Sequence, residues 1–331
     1  MNARHRLPLQ AGAIAVLAFG VLILSVYGSL MTGGRSDIRL SDLFTASTNG
    51  AVILDIRLPR TLVAACLGVN LGLSGLILQA LTRNPLSSPS ILGINQGAAL
   101  GLTIGVIFPS VGALVGLMPL AAIGALAAGF ITFSIAGVFA GRIVSLRLIL
   151  GGVAVGAFAS AMVRFSFTLE DDLARQVLRW TLGNISDVRW HHVQSLFVWS
   201  IGGTVATLAM AHRLNLMALG EAQASGLGAD PRLTLMIGAL MSACLTGTAV
   251  FVAGPIAFAG LVVPHMCRFC LGPDHRILVP ATALGGACLL MAADAASKWL
   301  TSPVELPVGV VVAMIGAPYF LYQTLFSKGA I

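Results

Sequence analysis

Residues 84–141 form a run of 58 residues without one Asp, Glu, Lys or Arg. Such a run cannot face water throughout, and it is too long for one membrane-spanning helix, which needs about 20 apolar residues. Shorter runs of the same kind recur, so that only 9% of all residues are charged and 57% are hydrophobic. The pattern predicts an all-α polytopic membrane protein, because a helix satisfies its backbone polar groups within lipid.

Charged residues, glycines and prolines divide the chain into about ten predicted transmembrane helices within a single membrane domain, 1–331. The predicted spans are 10–31, 61–82, 91–108, 119–141, 148–169, 192–211, 233–253, 257–269, 277–297 and 306–326. The eighth is short because Gly254 and Pro255 interrupt its apolar run. We interpret the first as a retained helix, since its apolar run is too long for a cleaved signal peptide. The basic residues divide almost evenly between the two sides, so they indicate orientation only weakly.

The sequence lacks the common catalytic motifs. It has no GxxxxGK[ST] phosphate loop, no HExxH and no GxSxG, so no motif for ATP hydrolysis, metalloprotease or hydrolase chemistry is present. Cys267 and Cys270 form a CxxC near His265; this could be a metal or redox site, but small residues at a helix end are the simpler interpretation. Asp294 and His265 fall near predicted helix ends, where we expect a hydrated or capping role rather than proton coupling.

Several polar or irregular stretches interrupt the apolar pattern. They read DIRLPRTL at 55–62, QALTRNPLSSPSILGINQGAALG at 79–101, LMALGEAQASGLGADPRL at 216–233, GPIAFAGLVVPHMCRF at 254–269 and ELPVGVVVAMIGAPYFLYQTL at 305–325. In this order and spacing they resemble the FecCD-type permease family, the membrane subunits of type II ABC importers for iron-siderophores, haem and cobalamin. The resemblance runs from about Asp55 to the C-terminus and implies ten helices per subunit.

The resemblance also implies the partners and the location. The chain would be a multi-pass subunit in the bacterial cytoplasmic (inner) membrane, with both termini cytoplasmic. It would work with two ABC ATPase subunits, an extracytoplasmic substrate-binding protein and a second permease subunit, identical or related, in the lipid bilayer and without nucleic acid. No metal or cofactor is expected on this chain, and it is not itself an enzyme, because ATP and magnesium bind to the partner ATPase.

The cargo is expected to be an iron-siderophore complex, because RNPLSSPSILGINQGAAL looks closest to those members of the family. Haem and cobalamin are the alternatives within the same importer type. An ion-gradient-driven secondary transporter is the alternative from another class, and a membrane enzyme is disfavoured by the missing catalytic motifs.

Residues 214–232 are expected to form a cytoplasmic coupling segment. Leu216–Leu219 and Ala222–Leu227 can form two short helices, hinged at Gly220 and ended by glycines. The resemblance implies that this segment rests in a groove of the ATPase and transmits its motion; a surface helix without a partner is the alternative. The residues assigned to coupling are Leu216, Leu219, Gly220, Glu221, Ala224, Leu227 and Gly228.

The remaining assignments follow the resemblance. Arg57, Arg60 and Lys298 match positions that receive acidic residues of the binding protein; arginines that snorkel to the membrane interface are the alternative. Asn84, Leu86, Ser145 and Leu146 are assigned to a cytoplasmic gate, although Asn-Pro is also a common turn signal. Met162 and Ser166 are assigned to the lining of the transport pathway from their position on the fifth predicted span.

Overall fold

The computed structural model describes residues 20–33, 41–42, 48–140, 144–167, 177, 180–301 and 304–326. Within these residues every regular element is a helix. The main helices are α1 Gly20–Met31, α2 Thr48–Thr82, α3 Ile94–Ile107, α4 Pro109–Val115, α5 Leu117–Ala136, α6 Ser145–Phe167, α7 Trp190–Ala218, α8 Glu221–Gly226, α9 Pro231–Ala253, α10 Ala259–Leu271, α11 His275–Leu300 and α12 Val308–Phe326.

Six of these helices are long and apolar enough to cross a membrane: α2, α5, α6, α7, α9 and α11. The bent pair α3 and α4, whose axes differ by 113°, would make a seventh span. The helices α1, α10 and α12 are apolar but shorter. The all-α membrane class is therefore confirmed for the described residues, whereas the number of ten spans stays a prediction.

Two helices begin or end differently from the prediction. The helix α7 continues to Ala218, so the predicted short helix Leu216–Leu219 is mostly its last turn; polar residues such as His212 and Arg213 are tolerated where the helix leaves the apolar bundle. The helix α2 begins at Thr48 and contains a π-helical stretch, Ile53–Arg57. Residues 10–19, 141 and 168–169 of the predicted spans lie outside the described residues.

The centre of the bundle is the segment Leu58–Thr82 of α2, which is buried along almost its whole length. It packs against α7, α9, α10 and α11. Gly68 lies against the backbone of Gly286 in α11, and Gly75 lies against the backbone of Gly260 in α10; a Cβ atom at either position would collide with that backbone. Small residues let helices approach closely in lipid, and they explain why α2 can hold several neighbours at once.

Two connections that lack α-helix reach into the bundle; the first includes one short 3-10 turn, Pro89–Leu92. Residues 83–93 turn back after α2, and Gly93 lies so close to α6 that a Cβ atom there would be 2.9 Å from the carbonyl oxygen of Gly152. The same Cβ would be 3.0 Å from the backbone nitrogen of Gly156, the middle residue of the 23-residue helix α6. Residues 254–258 likewise separate α9 from α10. Irregular backbone at this depth is tolerated only where protein or a water-filled cavity satisfies its polar groups.

The helix α2 also separates two ends of the molecule. Its 25-residue α-helical part spans about 37 Å at 1.5 Å per residue. Its first turn meets the C-terminal end of α11, where Arg60 pairs with Asp294. Its last residues meet the connection between α7 and α8, because the Arg83 guanidinium lies near Gly220. The predicted docking and coupling residues are therefore at opposite ends of the bundle.

Candidate functional site

Five charged side chains meet at the first turn of α2; Arg57, Arg60, Asp294, Lys298 and Glu305 are called the ionic cluster. Arg60 donates from Nε to Asp294 Oδ1 at 2.7 Å and from a terminal nitrogen to Glu305 Oε2 at 2.5 Å. Lys298 Nζ lies 2.5 Å from Asp294 Oδ2, one helical turn away on α11. Arg57 donates to the carbonyl oxygens of Leu30 and Met31 at the end of α1, at 2.9 Å each.

Hydroxyl groups complete the shell around the buried carboxylate of Asp294. Ser29 Oγ donates to Asp294 Oδ2 and lies 2.8 Å from Thr61 Oγ1. Lys298 Nζ also donates to the Ser29 carbonyl oxygen at 2.9 Å. Both carboxylate oxygens of Asp294 therefore have charged donors, as a buried charge requires.

The expectation that Asp294 is hydrated or caps a helix end is wrong. Its side chain is fully buried and paired with Arg60 and Lys298. The sequence did not predict the pair between Asp294 and Arg60, because these residues are 234 positions apart along the chain. The pair between Asp294 and Lys298 could have been inferred from their i,i+4 spacing on a helix.

The three predicted docking cations lie together, but each is more than nine-tenths buried. Arg57, Arg60, Lys298 and Glu305 line a small cavity of about 210 Å³. Among the residues that form ion pairs in the ionic cluster, Glu305 is the most accessible, with a side chain that is 31% exposed. A partner's carboxylate would therefore meet these cations in a recess in which Glu305 already holds Arg60. Docking itself stays a prediction.

The predicted coupling segment forms a tight elbow. Leu219 follows the last residue of α7 as its C-cap, and Gly220 turns the chain with a positive φ of 111° before α8. Gly228 turns it again with a φ of 84°, and Asp230 caps α9 by accepting a hydrogen bond from the Leu233 N–H. A positive φ at both turns suits glycine, since a Cβ would be strained there.

The elbow presents two apolar side chains outward. Leu219 is 58% and Leu227 is 62% exposed, whereas Ala224 is fully buried against the bundle. Leu216 and Glu221 are half-buried. The elbow is thus anchored by Ala224 and leaves two leucines available for a partner surface, as the coupling assignment requires; the assignment itself stays a prediction.

A second contact fixes the same end of the bundle. Asn215 Nδ2 donates to Asp274 Oδ1 at 2.7 Å, and the His275 N–H donates to Asn215 Oδ1. The hydrogen bond from the Arg276 N–H, followed by that from Asn215, lowers the pKa of the Asp274 carboxyl. This link between α7 and the start of α11 was not predicted; Asp274 before a helix was its only sequence signal.

The predicted gate residues Asn84 and Leu86 lie in a compact turn. Asn84 Oδ1 accepts a hydrogen bond from the Leu86 N–H at 2.9 Å, and Thr82 Oγ1 donates to Ser87 Oγ. This is the Asx turn that the Asn-Pro signal indicates. Asn84 and Leu86 line a cavity of about 170 Å³ together with side chains of α6 and α12, including Leu148, Ile149 and Phe320.

Ser145 and Leu146 are the first residues of α6 rather than a segment before it. Leu146 is 66% exposed, and it lies one turn from the α6 residues that face the Asn84 turn. The two halves of the predicted gate are therefore neighbours at one end of the bundle.

The predicted pathway residues differ from each other. Met162 is exposed on α6, whereas Ser166 is buried and donates its hydroxyl hydrogen to the Val163 carbonyl oxygen at 2.6 Å. Ser166 therefore does not face open space in this subunit. In the described part of the chain no cluster of three or more His, Cys, Asp or Glu side chains could hold a metal ion, and Cys267 and Cys270 are free thiols.

Comparison with known proteins identifies relatives over nearly the whole chain. The chain is 39% identical to the hemin transport system permease protein HmuU of Yersinia pestis, over 99% of this chain and 98% of that protein. It is 37% identical to the Fe(3+) dicitrate transport system permease protein FecC of Escherichia coli, over 91% of each chain.

A solved structure has the same fold. A metal-chelate type ABC transporter in an inward-facing conformation superposes with a TM-score of 0.83 at 28% identity, covering 96% of this chain and 99% of that one. The model of the FecCD transport family matches residues 21–326. The chain belongs to the FecCD transport family.

Proposed function

We propose that this chain is the permease subunit of an ABC importer that carries an iron-siderophore complex across the bacterial inner membrane. The family match over residues 21–326 supports the importer class. At the coarser level the chain is a permease subunit of an importer for haem, siderophore, citrate or cobalamin. Haem or cobalamin, carried by the same type of importer, is the alternative cargo.

The partners follow from the importer class. Two ATPase subunits hydrolyse ATP, a second permease subunit completes the pathway, and an extracytoplasmic binding protein delivers the cargo. The chain itself carries no phosphate-loop motif, so the energy must come from a separate subunit. Both termini are proposed to be cytoplasmic, which places the elbow on the side of the ATPase and the ionic cluster on the side of the binding protein.

The observation that carries this proposal is the arrangement of the two sites at opposite ends of α2. One end has three cations around a recess, suited to acidic residues of a docking protein, whose charges steer association more than they add affinity. The other end has the tight elbow with two exposed leucines near the Asn84 turn. The Arg83 guanidinium lies beside Gly220, so a displacement of the elbow would reach that turn through Arg83.

Reconstitution tests this function. The permease, its ATPase and its binding protein are placed in liposomes with a ⁵⁵Fe-labelled siderophore outside, and uptake is measured with and without ATP inside. We expect uptake only with ATP and all subunits present. Uptake by the permease alone under a proton or sodium gradient would contradict the proposal and support a secondary transporter.

A further inference from the structure

A cavity of about 350 Å³ lies beside the second half of α6. Its lining includes five polar or charged side chains, those of Asn95, Gln96, Ser160, Arg164 and Thr181. It also touches Pro255 in the non-helical segment 254–258. The cavity therefore lies where two interrupted elements, the start of α3 and the end of α9, come together.

Arg164 distinguishes this cavity from a packing defect. It lies in the last turn of α6 and is exposed, and the described residues give it no hydrogen bond or ion pair. By contrast, Arg57 and Arg60 are buried in the ionic cluster, and both have partners. Because its guanidinium is exposed at the edge of a polar cavity, Arg164 is accessible to an anionic group of a ligand, with which it can form charge-assisted hydrogen bonds.

Gln96 supplies a second unsatisfied group. Its Oε1 atom is buried without a hydrogen-bond partner in the described structure. A Cβ atom at Gly156 of α6 would lie 3.6 Å from that oxygen, so the amide reaches across from α3 toward the helix that carries Arg164. A buried acceptor without a partner is unfavourable, and a bound group that donates an N–H or O–H would remove that penalty.

Discontinuous helices are a common way to build a binding site at membrane depth. Here Gly93, just before α3, packs against the middle of α6, so Asn95 and Gln96 are deep in the bundle rather than at its surface. A cavity of this size is at the lower end of small-molecule sites and holds one arm of a chelate, not the whole complex.

We propose that this cavity is a cargo subsite for a carboxylate arm of an iron chelate, with Arg164 pairing with the carboxylate and Gln96 accepting a hydrogen bond from the same cargo. The inference rests on the proposed importer function and narrows its cargo to chelates that carry a free carboxylate. A guanidinium suits this role because it binds a carboxylate through two parallel hydrogen bonds.

Equilibrium binding to the permease–ATPase complex in nanodiscs tests the subsite without transport. The probes are ferric citrate and haemin, which carry carboxylates, and ferrichrome, a neutral hydroxamate chelate. We expect Arg164→Gln to weaken binding of whichever carboxylate probe the wild type binds by tenfold or more, and ferrichrome by less than twofold. Arg164→Lys keeps the positive charge but cannot form two parallel hydrogen bonds to a carboxylate. We therefore expect a smaller loss of affinity for the carboxylate probe, about threefold.

Arg147→Gln is the matched control, since Arg147 is an exposed arginine near the other end of the same helix and does not line the cavity. If Arg164→Gln weakens the binding of only one carboxylate probe, ferric citrate or haemin, that probe identifies the type of chelate that the subsite accepts. The subsite is wrong if the wild type binds ferrichrome as tightly as both carboxylate probes. It is equally wrong if Arg164→Gln weakens all three probes alike or none of them.

The uptake assay keeps this inference separate from the proposed function. If ATP-driven uptake occurs but binding shows no dependence on Arg164, the importer function stands and the subsite fails. If uptake does not depend on ATP, the importer function fails whatever the binding shows.

Discussion

At the scale of single residues, the buried carboxylate of Asp294 organises the ionic cluster. It is fully buried, and two cations and a hydroxyl group hold its two oxygens. A buried ion pair adds little net stability compared with apolar residues, but removing one partner leaves an uncompensated charge. The carboxylate of Asp294 therefore compensates the buried positive charges of both Arg60 and Lys298.

Replacing Asp294 tests this. We expect Asp294→Asn to destabilise the protein by about 3–5 kcal/mol, because two buried cations lose their shared counter-charge. Heat-induced unfolding of the purified protein in detergent measures the effect. Glu305→Gln is the matched control: its carboxylate is partly exposed, so we expect less than about 1 kcal/mol. Equal stability of Asp294→Asn and wild type would show that the pairing does not matter.

At the scale of helices, close approach through glycine holds the bundle together. Gly75 of α2 and Gly260 of α10 are in backbone contact, so the short helix α10 can lie directly on the central helix. In lipid the hydrophobic effect does not drive helices together, so close van der Waals packing between helices must stabilise the bundle instead.

Gly75→Ala is therefore expected to destabilise the bundle by about 1–3 kcal/mol, through overpacking against the Gly260 backbone. Gly202→Ala in α7 is the control, because no atom lies within 4 Å of the added Cβ; alanine should be neutral there or stabilise by up to about 1 kcal/mol. Thermal unfolding in detergent compares the two variants. A Gly202→Ala variant as unstable as Gly75→Ala would rule out backbone contact as the cause.

The elbow allows a prediction about coupling. Glu221 is the first residue of α8 and is half-buried on the elbow, the proposed site of ATPase contact. We expect Glu221→Ala to lower the cargo moved per ATP hydrolysed in liposomes, while the complex still assembles. Gln223→Ala, two residues further on in α8, serves as the control. Unchanged uptake per ATP would mean that Glu221 has no part in coupling.

At the scale of the whole molecule, charge-free runs were a good guide to where helices lie. The predicted span 233–253 corresponds to α9, Pro231–Ala253, since Asp230, Pro231 and Gly254 mark its ends in the sequence. The continuation of α7 to Ala218 was missed because polar residues there resemble a loop. Contacts between distant segments, such as Arg60 with Asp294 or Gln96 beside α6, have no local signal and became visible only in the folded chain.

Orientation is a prediction about the whole molecule. If both termini are cytoplasmic, alkaline phosphatase fused after Phe326 should be inactive, and the same enzyme fused after Thr301 should be active, since it needs the oxidising periplasm for its disulfides. Enzyme activity in intact cells, normalised to the amount of fusion protein, measures this. The opposite pattern would invert the proposed sides of the elbow and the ionic cluster.

The turn at residues 83–93 bears on how a closed membrane protein can open. Opening through an intact helix would break several backbone hydrogen bonds at once in a medium that offers no replacements. A short connection without α-helix needs only a few torsion changes, and Asn84 and Thr82 already supply hydrogen-bond partners to Leu86 and Ser87 within it. A barrier made of such connections can therefore move quickly and reversibly while every long helix stays intact.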